Sequence, residues 1–354
     1  MRTVGILVDA SVFRGITRGR TRKEKLDLYN RAAARHALTP VYLCLEQTFP
    51  SEGRAYGYIY AHGEYKYALT SIPRVIHNRT FPANKAMSKR LKLLAKMSRV
   101  FNGKNRYSKY RIYRLLKKRF SSYLPATAKY TKLNLRRMMK HYKSLYIKPQ
   151  SGSIGKGIIK ATRRQGGTWK LQLPNGSLAV SREQAVQRIH RIAGQKKYLI
   201  QETINLAKYK GSPFDIRVSV QRGADGKWGV TGMYAKVARK GSHLTNVARR
   251  GTAKTCASVM SQSVKSPDKA IRTAKKLSLQ IARYLGKKLD RLADIGLDIG
   301  VDAEGKPYFI EMNGRDQRYG FKKANMNKTF YRTYETPLLY AKYLLKSAKL
   351  NGRG

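Results

Sequence analysis

The sequence predicts an α/β (α+β) fold with more than one domain, and three observations support that prediction. The chain opens with a strand pattern at residues 3–8, a helical stretch at 23–36 and a second strand at 41–45, which is the order of a βαβ unit. A glycine-rich segment at 151–157 lies between two later strand patterns. Two further strands near the C terminus are joined by a short turn at 302–305. Strands that alternate with helices along the chain are typical of mixed architectures.

Length and composition limit the class of protein. A chain of 354 residues fits two or three domains at ~100–200 residues each. Hydrophobic residues make up 42% of the chain, which is enough for a buried core and excludes wholesale disorder. Cys44 and Cys256 stand far apart, so a disulfide framework and a zinc module are excluded and a reducing compartment is expected. No apolar run is long enough for a signal peptide or for the ~20 residues of a membrane span, so we expect a soluble, cytoplasmic protein.

The charge of the chain predicts an anionic partner. There are 75 Lys and Arg residues against 19 Asp and Glu, a net charge of +56. Nucleic acid, an anionic polymer, an acidic peptide and nucleotide phosphates all fit that charge. Residues 65–182 contain 30 Lys and Arg but no acid. Six carboxylates instead cluster within 23 residues: Asp294, Asp298, Asp302, Glu304, Glu311 and Asp316. Either a cation site or chance placement on turns explains that cluster.

The element patterns divide the chain into three parts. Residues 1–95 are predicted to form an N-terminal α/β domain, residues 96–205 a central unit with the glycine-rich segment, and residues 206–354 a C-terminal unit. The first part includes a predicted hairpin at 56–69 and a strand at 74–78. The other predicted helices lie at 88–97, 109–119, 133–142, 182–192, 267–285 and 336–345. The other predicted strands lie at 144–148, 157–161, 168–173, 198–201, 214–221, 228–237, 296–301 and 307–312, with a polar basic loop at 239–254.

The glycine-rich segment is a candidate phosphate-binding loop. Its glycines let the backbone approach a phosphate closely, its serines supply hydroxyl donors, and a lysine ends the strand directly before it. It is not a Walker A loop, because Gly157 stands where Ser or Thr is required, and it leads into a strand rather than the helix of a Rossmann fingerprint. A lid over a triphosphate and an ordinary glycine-rich hairpin both fit. The candidate residues are Lys148, Ser151, Gly152, Ser153, Gly155, Lys156 and Gly157.

The C-terminal hairpin is a candidate Mg²⁺ site. Glu311 and Asn313 are two residues apart on one predicted strand and therefore share a face. The short turn can place Asp298 of the preceding strand beside Glu311. Two carboxylates and an amide oxygen suit Mg²⁺ that accompanies nucleotide phosphates. The alternative is a half-exposed hairpin with ordinary polar residues.

Three weaker groups of polar residues complete the candidate site. Gln201 and Glu202 end an apolar strand, where backbone groups at a sheet edge can read an adenine and Glu202 can meet a nucleobase amine or a ribose. Asp215 and Arg217 place an acid and a base on one strand face. Arginines in the loop that follows residue 237 can neutralise a transferring phosphoryl group, or that loop is simply a solvated basic segment. The catalytic candidates are Arg217, Arg239 and Asn246.

The candidate residues above, taken in their order along the chain and together with Lys109, resemble the pattern of the ATP-grasp superfamily. The resemblance covers most of the chain. More narrowly, the segments at 76–79, 124–127, 146–149 and 243–248 are similar to the YheC/YheD group of endospore-coat-associated ATP-grasp proteins. The resemblance implies an ATP-grasp fold behind a Rossmann-like N-terminal domain. It implies that Lys109 and Lys148 hold ATP phosphates, that 153–157 form a flexible lid, and that ATP lies between two halves of the fold. It also implies an adenine hinge at Gln201 and Glu202, nucleotide contact by Asp215, and Mg²⁺ at Asp298, Glu311 and Asn313.

The chemistry that the resemblance implies is amide formation. ATP phosphorylates a carboxylate, and an amine then displaces phosphate from the acyl-phosphate. We therefore expect an ATP-dependent carboxylate–amine ligase, with an acidic peptide or polymer as a candidate substrate. A non-catalytic spore-coat protein that holds polyanions non-specifically, and an ATP-dependent kinase on the same scaffold, are the alternatives. In a spore former the expected location is the cytoplasm of the mother cell or the spore coat.

Overall fold

The computed structural model describes residues 2–152, 157–173, 175–241, 245 and 251–350, except for the side chains of 348–350. The strands of this part form three sheets, which follow one another along the chain. The predicted α/β class is confirmed by this architecture. No helix within the described residues combines the length and the apolarity needed to cross a membrane.

The N-terminal sheet has seven strands, in the order β3-β4-β2-β1-β6-β7 with β5 paired to β4. The strands are β1 Arg2–Leu7, β2 Leu38–Leu43, β3 Thr48–Phe49, β4 Arg54–Ala61, β5 Glu64–Ser71, β6 Val75–Asn78 and β7 Arg99–Phe101. The helices are α1 Ala10–Phe13, α2 Leu26–Arg35 and α3 Lys85–Met97. Because β1 pairs in parallel with β2 through the intervening α2, the predicted βαβ opening is confirmed. The β4–β5 hairpin is also confirmed.

The central sheet is antiparallel, in the order β12-β11-β10-β9-β13-β8. Its strands are β8 Thr127–Lys129, β9 Ser144–Pro149, β10 Ile159–Arg163, β11 Trp169–Leu173, β12 Gly176–Val180 and β13 Tyr198–Glu202. The helices of this stretch are α4 Lys109–Phe120, α5 Lys132–His141 and α6 Arg182–Ala193. Helices α5 and α6 cover a core that includes Leu135, Trp169 and Ile189. The glycine-rich segment connects the antiparallel pair β9 and β10, so it leads into a strand, as predicted.

The C-terminal sheet has the order β17-β16-β15-β18-β19, with β14 paired to β15. Its strands are β14 Lys208–Tyr209, β15 Ser212–Arg222, β16 Trp228–Val237, β17 Thr252–Lys254, β18 Asp294–Val301 and β19 Pro307–Asn313. The helices are α7 Cys256–Met260, α8 Pro267–Lys288, α9 Tyr319–Lys323 and α10 Asn327–Leu350. Helix α4 joins this core through Ile112, Leu116 and Phe120. Asp298 pairs directly with Glu311 across β18 and β19, which confirms the predicted hairpin and the proximity of these two residues.

The structure adds short strands and helices that the sequence did not predict, and two larger differences lie in the C-terminal part. The polar loop predicted at 239–254 ends in β17, whose three residues pair with the end of β16. Helix α10 starts well before the predicted residue 336 and carries Pro337 inside it. Its buried Phe330, Tyr334, Leu338 and Ala341 lie on one face against the N-terminal core. Tertiary packing therefore extends the helix in front of the proline, where sequence rules place a helix start. The domain boundaries at 95 and 205 stay a prediction.

Candidate functional site

A cavity of about 670 Å³ opens where the three sheets approach one another. Its wall contains eight residues that were selected from the sequence: Lys109, Lys148, Ser151, Gly152, Arg217, Asp298, Glu311 and Asn313. They come from α4, β9 and the loop after it, β15, β18 and β19. The fold thus brings together residues that are up to 204 positions apart in the sequence (109 to 313).

Two lysines enter the cavity from the central part of the chain. Lys148 is buried near the end of β9, and its Nζ donates a 2.6 Å hydrogen bond to Oε1 of Gln201. Burial lowers the pKa of Lys148 to about 8, with Lys109 adding to that effect and Glu311 opposing it. Lys109 begins α4, which is capped by the Ser108 hydroxyl. Its Nζ donates to Oε1 of Glu311 at 2.8 Å and to the Gly152 carbonyl at 3.2 Å.

The strand that carries Gln201 and Glu202 lies in the interior of its sheet. The expectation that its backbone groups lie at a free sheet edge is therefore wrong. Strand β13 pairs with β9 on one side and with β8 on the other. The Glu202 N–H donates to the Ala126 carbonyl at 2.9 Å, and its carboxylate accepts from the Ala126 N–H at 3.1 Å. The sequence prediction missed the short β8, which covers this edge. Gln201 instead acts through its side chain, which links Lys148 to the Thr127 hydroxyl.

Beside the cavity lies a narrower cleft that shares Lys109 and Lys148 with it. The cleft runs between α4, β13 and β19. Its other lining residues are mostly apolar or aromatic: Tyr113, Leu124, Pro125, Thr127, Leu199, Gln201, Phe309 and Ile310. A mostly apolar cleft therefore shares its two lysines with the larger cavity.

The acidic side of the cavity is a buried ion-pair cluster. Asp298 accepts from Nε of Arg217 at 2.7 Å and lies 3.0 Å from Nζ of Lys236, which also pairs with Asp215 at 2.8 Å. Burial alone would raise the pKa of Asp298, but Arg217 and Lys236 outweigh burial and hold it below its usual range. Burial raises the pKa of Asp215, which Lys236 opposes and Asp298 reinforces. Asp215 thus forms an ion pair with Lys236, which lines the cavity, and is not itself part of the cavity wall.

The carboxylate cluster of the sequence separates into different roles. Asp316 is fully buried; it accepts from Arg217 at 3.1 Å and from the Ser219 hydroxyl. Asp294 is also buried and pairs with Arg318 at 2.5 Å. These two acids neutralise buried arginines. Asp302 accepts from turn backbone groups, and Glu304 forms an exposed ion pair with Lys265. Asp298 and Glu311 are the members of the cluster that line the cavity.

The residues expected to hold Mg²⁺ have suitable chemistry, and the two carboxylates among them, Asp298 and Glu311, contact cationic side chains. Within the described ranges no group of three or more His, Cys, Asp or Glu side chains is arranged to hold a metal. Asp298 and Glu311 are nevertheless cross-strand partners, and the Asn313 amide is 3.5 Å from Asp298. Oxygen donors so placed on one hairpin fit Mg²⁺. The metal site stays a prediction.

The end of the cavity near the N-terminal sheet was missed by the sequence analysis. Two guanidinium groups lie over the Phe81 ring, with Arg106 at 4.4 Å and Arg315 at 3.8 Å from the ring centroid. Arg315 is fixed by hydrogen bonds to Asp9 at 2.7 Å and to the Arg79 carbonyl at 2.8 Å. Phe81, Arg106 and Arg315 all line the cavity. Lys236 was also missed, although a lysine inside the apolar strand pattern at 228–237 was a usable signal.

The remaining sequence candidates lie at the border of the site or beyond the described residues. Gly157 has a φ of +72°, and a Cβ there would collide with the Tyr198 hydroxyl, so both backbone and space require glycine. Arg239 is exposed after β16 and does not line the cavity. The other candidates lie outside the described residues: Ser153, Gly155, Lys156 and Asn246.

Comparison with solved structures defines the class of the fold. The D-cycloserine synthetase DcsG aligns with a TM-score of 0.56 at 11% identity, over 95% of this chain and 99% of that one. The ATP-grasp ligase PsnB, complexed with a phosphomimetic variant of its minimal precursor, Mg and ADP, aligns with a TM-score of 0.52 at 15% identity, over 93% and 97%. These similarities show an ATP-grasp fold.

Sequence comparison narrows that class to a family. The family model described as YheC/D-like ATP-grasp matches residues 98–344. The endospore coat-associated protein YheD of Bacillus subtilis (strain 168) is 27% identical over 316 residues, which cover 84% of this chain and 68% of YheD. YheC of the same strain is 20% identical over 235 residues, covering 65% and 64%. This chain belongs to the YheC/D-like ATP-grasp family. It spans about two thirds of the length of these two relatives.

Proposed function

We propose that this protein is an ATP-dependent carboxylate–amine ligase that forms an amide through an acyl-phosphate. The supporting observation is one cavity in which two lysines from the central unit face two carboxylates of the C-terminal hairpin. Phosphoryl transfer to a carboxylate needs positioning and charge neutralisation more than a protein nucleophile. In this proposal the lysines and carboxylates of the cavity meet both of those requirements.

In this proposal Lys109 and Lys148 bind the ATP phosphates, and the cleft between α4 and β19 takes the adenine. Ser151 and Gly152 border the phosphates, and residues 153–157 form the lid that the sequence predicts. Binding of a polyanion favours the charged form of Lys148, whose pKa is lowered in the free protein. Gln201 holds the Lys148 ammonium in place, and Glu202 fixes the strand beside the adenine. The ADP in the PsnB complex supports a nucleotide in this fold.

Asp298, Glu311 and Asn313 are the residues that would hold Mg²⁺ with the nucleotide. A bound Mg²⁺ would neutralise charge on the phosphates and orient them. Lys109 contacts Glu311 directly, and in this proposal a nucleotide phosphate would take the place of that carboxylate beside the ammonium group. The Mg in the PsnB complex supports this assignment.

The proposed reaction has two steps, transfer of a phosphoryl group to the donor carboxylate and attack of the amine on the acyl-phosphate. A carboxylate oxygen of the donor attacks the γ-phosphorus, and ADP leaves with the bridging oxygen. The amine nitrogen then attacks the acyl carbon, phosphate leaves, and the amine loses a proton to solvent. Arg217 and Lys236 stabilise charge on the transferring phosphoryl group, because both reach the cavity beside Asp298. Arg239 and Asn246 remain catalytic candidates from the sequence.

The substrate we propose is an acidic peptide or polymer. Arg106 and Arg315, which line the cavity, present two guanidinium groups next to the Phe81 ring. Planar guanidinium groups bind carboxylates well. The names of YheD and YheC associate those relatives with the endospore coat. We propose that the substrate of this protein is also a component associated with the endospore coat.

Release of ADP and phosphate, measured with a panel of carboxylic acids and amines, tests the proposed function. The wild-type protein should release both products only when an acid is present. Lys148→Met should lose this activity, whereas Lys170→Met, a half-exposed lysine on β11 outside the cavity, should retain it. Acid-independent ATP hydrolysis of equal rate in all three proteins would contradict the proposal.

A further inference from the structure

The chain segment from α4 to the end of α5 carries a dense positive charge with no acid in between, and its Lys and Arg side chains beyond Lys109 are exposed. Residues 111–143 contain no acid and eleven cations: Arg111, Arg114, Lys117, Lys118, Arg119, Lys129, Lys132, Arg136, Arg137, Lys140 and Lys143. We call these residues the α4–α5 surface. In the described part of the chain, Arg136 is the member of this set that forms an ion pair, with Glu183. Such a surface attracts an anionic partner and repels a cationic one.

One contact places a cation of β8 beside the first turn of α4. Tyr110 and Tyr113 stack on α4 with 6.1 Å between ring centroids, and the Lys129 ammonium lies 5.3 Å from the Tyr110 ring. Arg114 and Lys117 follow these tyrosines at the spacing of one helical turn, so they extend the same stripe of the helix. Lys117 is exposed.

The α4–α5 surface begins at the site. Lys109, the first residue of α4, lines the cavity, and Tyr113 one turn later lines the narrow cleft. The exposed cations further along α4, such as Arg114 and Lys117, line neither the cavity nor the cleft. This charge is therefore available to a partner larger than the reacting group.

We propose that the α4–α5 surface docks an acidic polypeptide segment of the substrate, outside the cavity in which the reaction takes place. This inference rests on the proposed function and names the partner class of the same site. Docking of a remote segment raises the local concentration of the reacting carboxylate. The proposal explains why cations accumulate next to the cavity.

The aromatic residues of the surface favour a peptide over single-stranded nucleic acid. Nucleic acid binding to basic grooves depends on aromatic rings whose faces are open to bases. Tyr110 is covered by Tyr113 on one side and approached by Lys129, and both tyrosines are half-buried. The surface presents exposed positive charges, and the successive carboxylates of an acidic peptide can form ion pairs with them.

The test measures binding of fluorescent deca-glutamate by anisotropy, with an oligo-dT of equal length as the competing polyanion. Lys117→Gln/Lys118→Gln is compared with Lys275→Gln/Lys276→Gln, an equally exposed lysine pair on α8. The α4 variant should bind deca-glutamate about fivefold to tenfold more weakly, because two surface charges facing the peptide are lost. The α8 variant should change by less than about twofold, and high salt should abolish the difference.

Three results would overturn the proposal: no binding of deca-glutamate, equal losses in both variants, or tighter binding of oligo-dT with the same dependence on Lys117 and Lys118. Stabilisation by ATP·Mg²⁺, measured on the same proteins, separates this inference from the proposed function. Both double variants should keep that stabilisation in full. Its absence from every protein, wild type included, would contradict the nucleotide site and not the docking surface.

Discussion

Replacement of Lys148 by methionine should change how the stability of the ligand-free protein depends on pH. Burial lowers the pKa of this lysine from 10.5 to about 8. Each pKa unit corresponds to about 1.4 kcal/mol, so a charged Lys148 costs the folded state on the order of 3 kcal/mol at neutral pH. Methionine removes that cost, but it leaves Oε1 of Gln201 without its donor, which costs about 1–3 kcal/mol. At neutral pH the two proteins should therefore have similar stability.

The pH dependence separates these two contributions. The folded pKa lies below the unfolded value, so the cost is fully present below about pH 8 and is relieved as the pH rises towards 10.5. Between pH 7 and about pH 10, wild type should gain on the order of 2 kcal/mol relative to Lys148→Met. Urea unfolding at the two pH values measures the difference, and Lys170→Met should follow wild type. Parallel curves for wild type and Lys148→Met would refute the argument that Lys148 is desolvated.

The same proteins test the contact of Lys148 with the nucleotide. At a nucleotide concentration of about 100 times Kd, ATP·Mg²⁺ should stabilise wild type by about 2.7 kcal/mol. Lys170→Met should show the same stabilisation, and Lys148→Met should show almost none. A full stabilisation of Lys148→Met would remove this residue from the site.

Three further substitutions test the rest of the cavity. Glu311→Gln should keep the fold but lose more than about tenfold in ATP turnover, because a charged oxygen ligand is removed; Asp302→Asn on the same hairpin should be nearly silent, and equal losses would contradict the site. Arg217→Met should lower the free energy of unfolding by about 3–5 kcal/mol, because two buried carboxylates lose their partner; a change below 1 kcal/mol in urea titrations would show that this pair is solvated. Arg106→Gln should raise KM for an acidic substrate and leave the Kd for ATP unchanged; a matching loss of ATP affinity would contradict its place at the substrate end.

Local patterns in the sequence predicted the parts of the fold that depend on local rules. Apolar alternation and turn residues located the hairpin that pairs Asp298 with Glu311. The glycine-rich segment was placed between two strands because no helical pattern follows it. The scarcity of acids made the carboxylates of the C-terminal hairpin stand out. Each of these patterns involves residues that are close together in the sequence, so it can be recognised from one sequence without knowledge of tertiary contacts.

The rest of the site depends on contacts between distant segments. Lys236 enters the cavity because Asp215 and Asp298 neutralise it inside the sheet. Arg315 is held by Asp9, 306 residues away in the sequence. Strand β8 has three residues and forms only because β13 offers it a partner. Local periodicity contains no information on such pairings, which explains why the sequence analysis treated the β13 backbone as a free sheet edge.

The central claim is that ATP activates a carboxylate, and transfer of an oxygen isotope tests it most directly. Oligo-glutamate labelled with ¹⁸O in its carboxylates is incubated with the protein, ATP, Mg²⁺ and hydroxylamine as the amine. An acyl-phosphate intermediate keeps one carboxylate oxygen on the phosphate when the amine displaces it. We therefore expect one ¹⁸O atom per phosphate released, together with a hydroxamate. Formation of ADP with unlabelled phosphate, or phosphate transferred stably to an acceptor, would contradict the ligase mechanism.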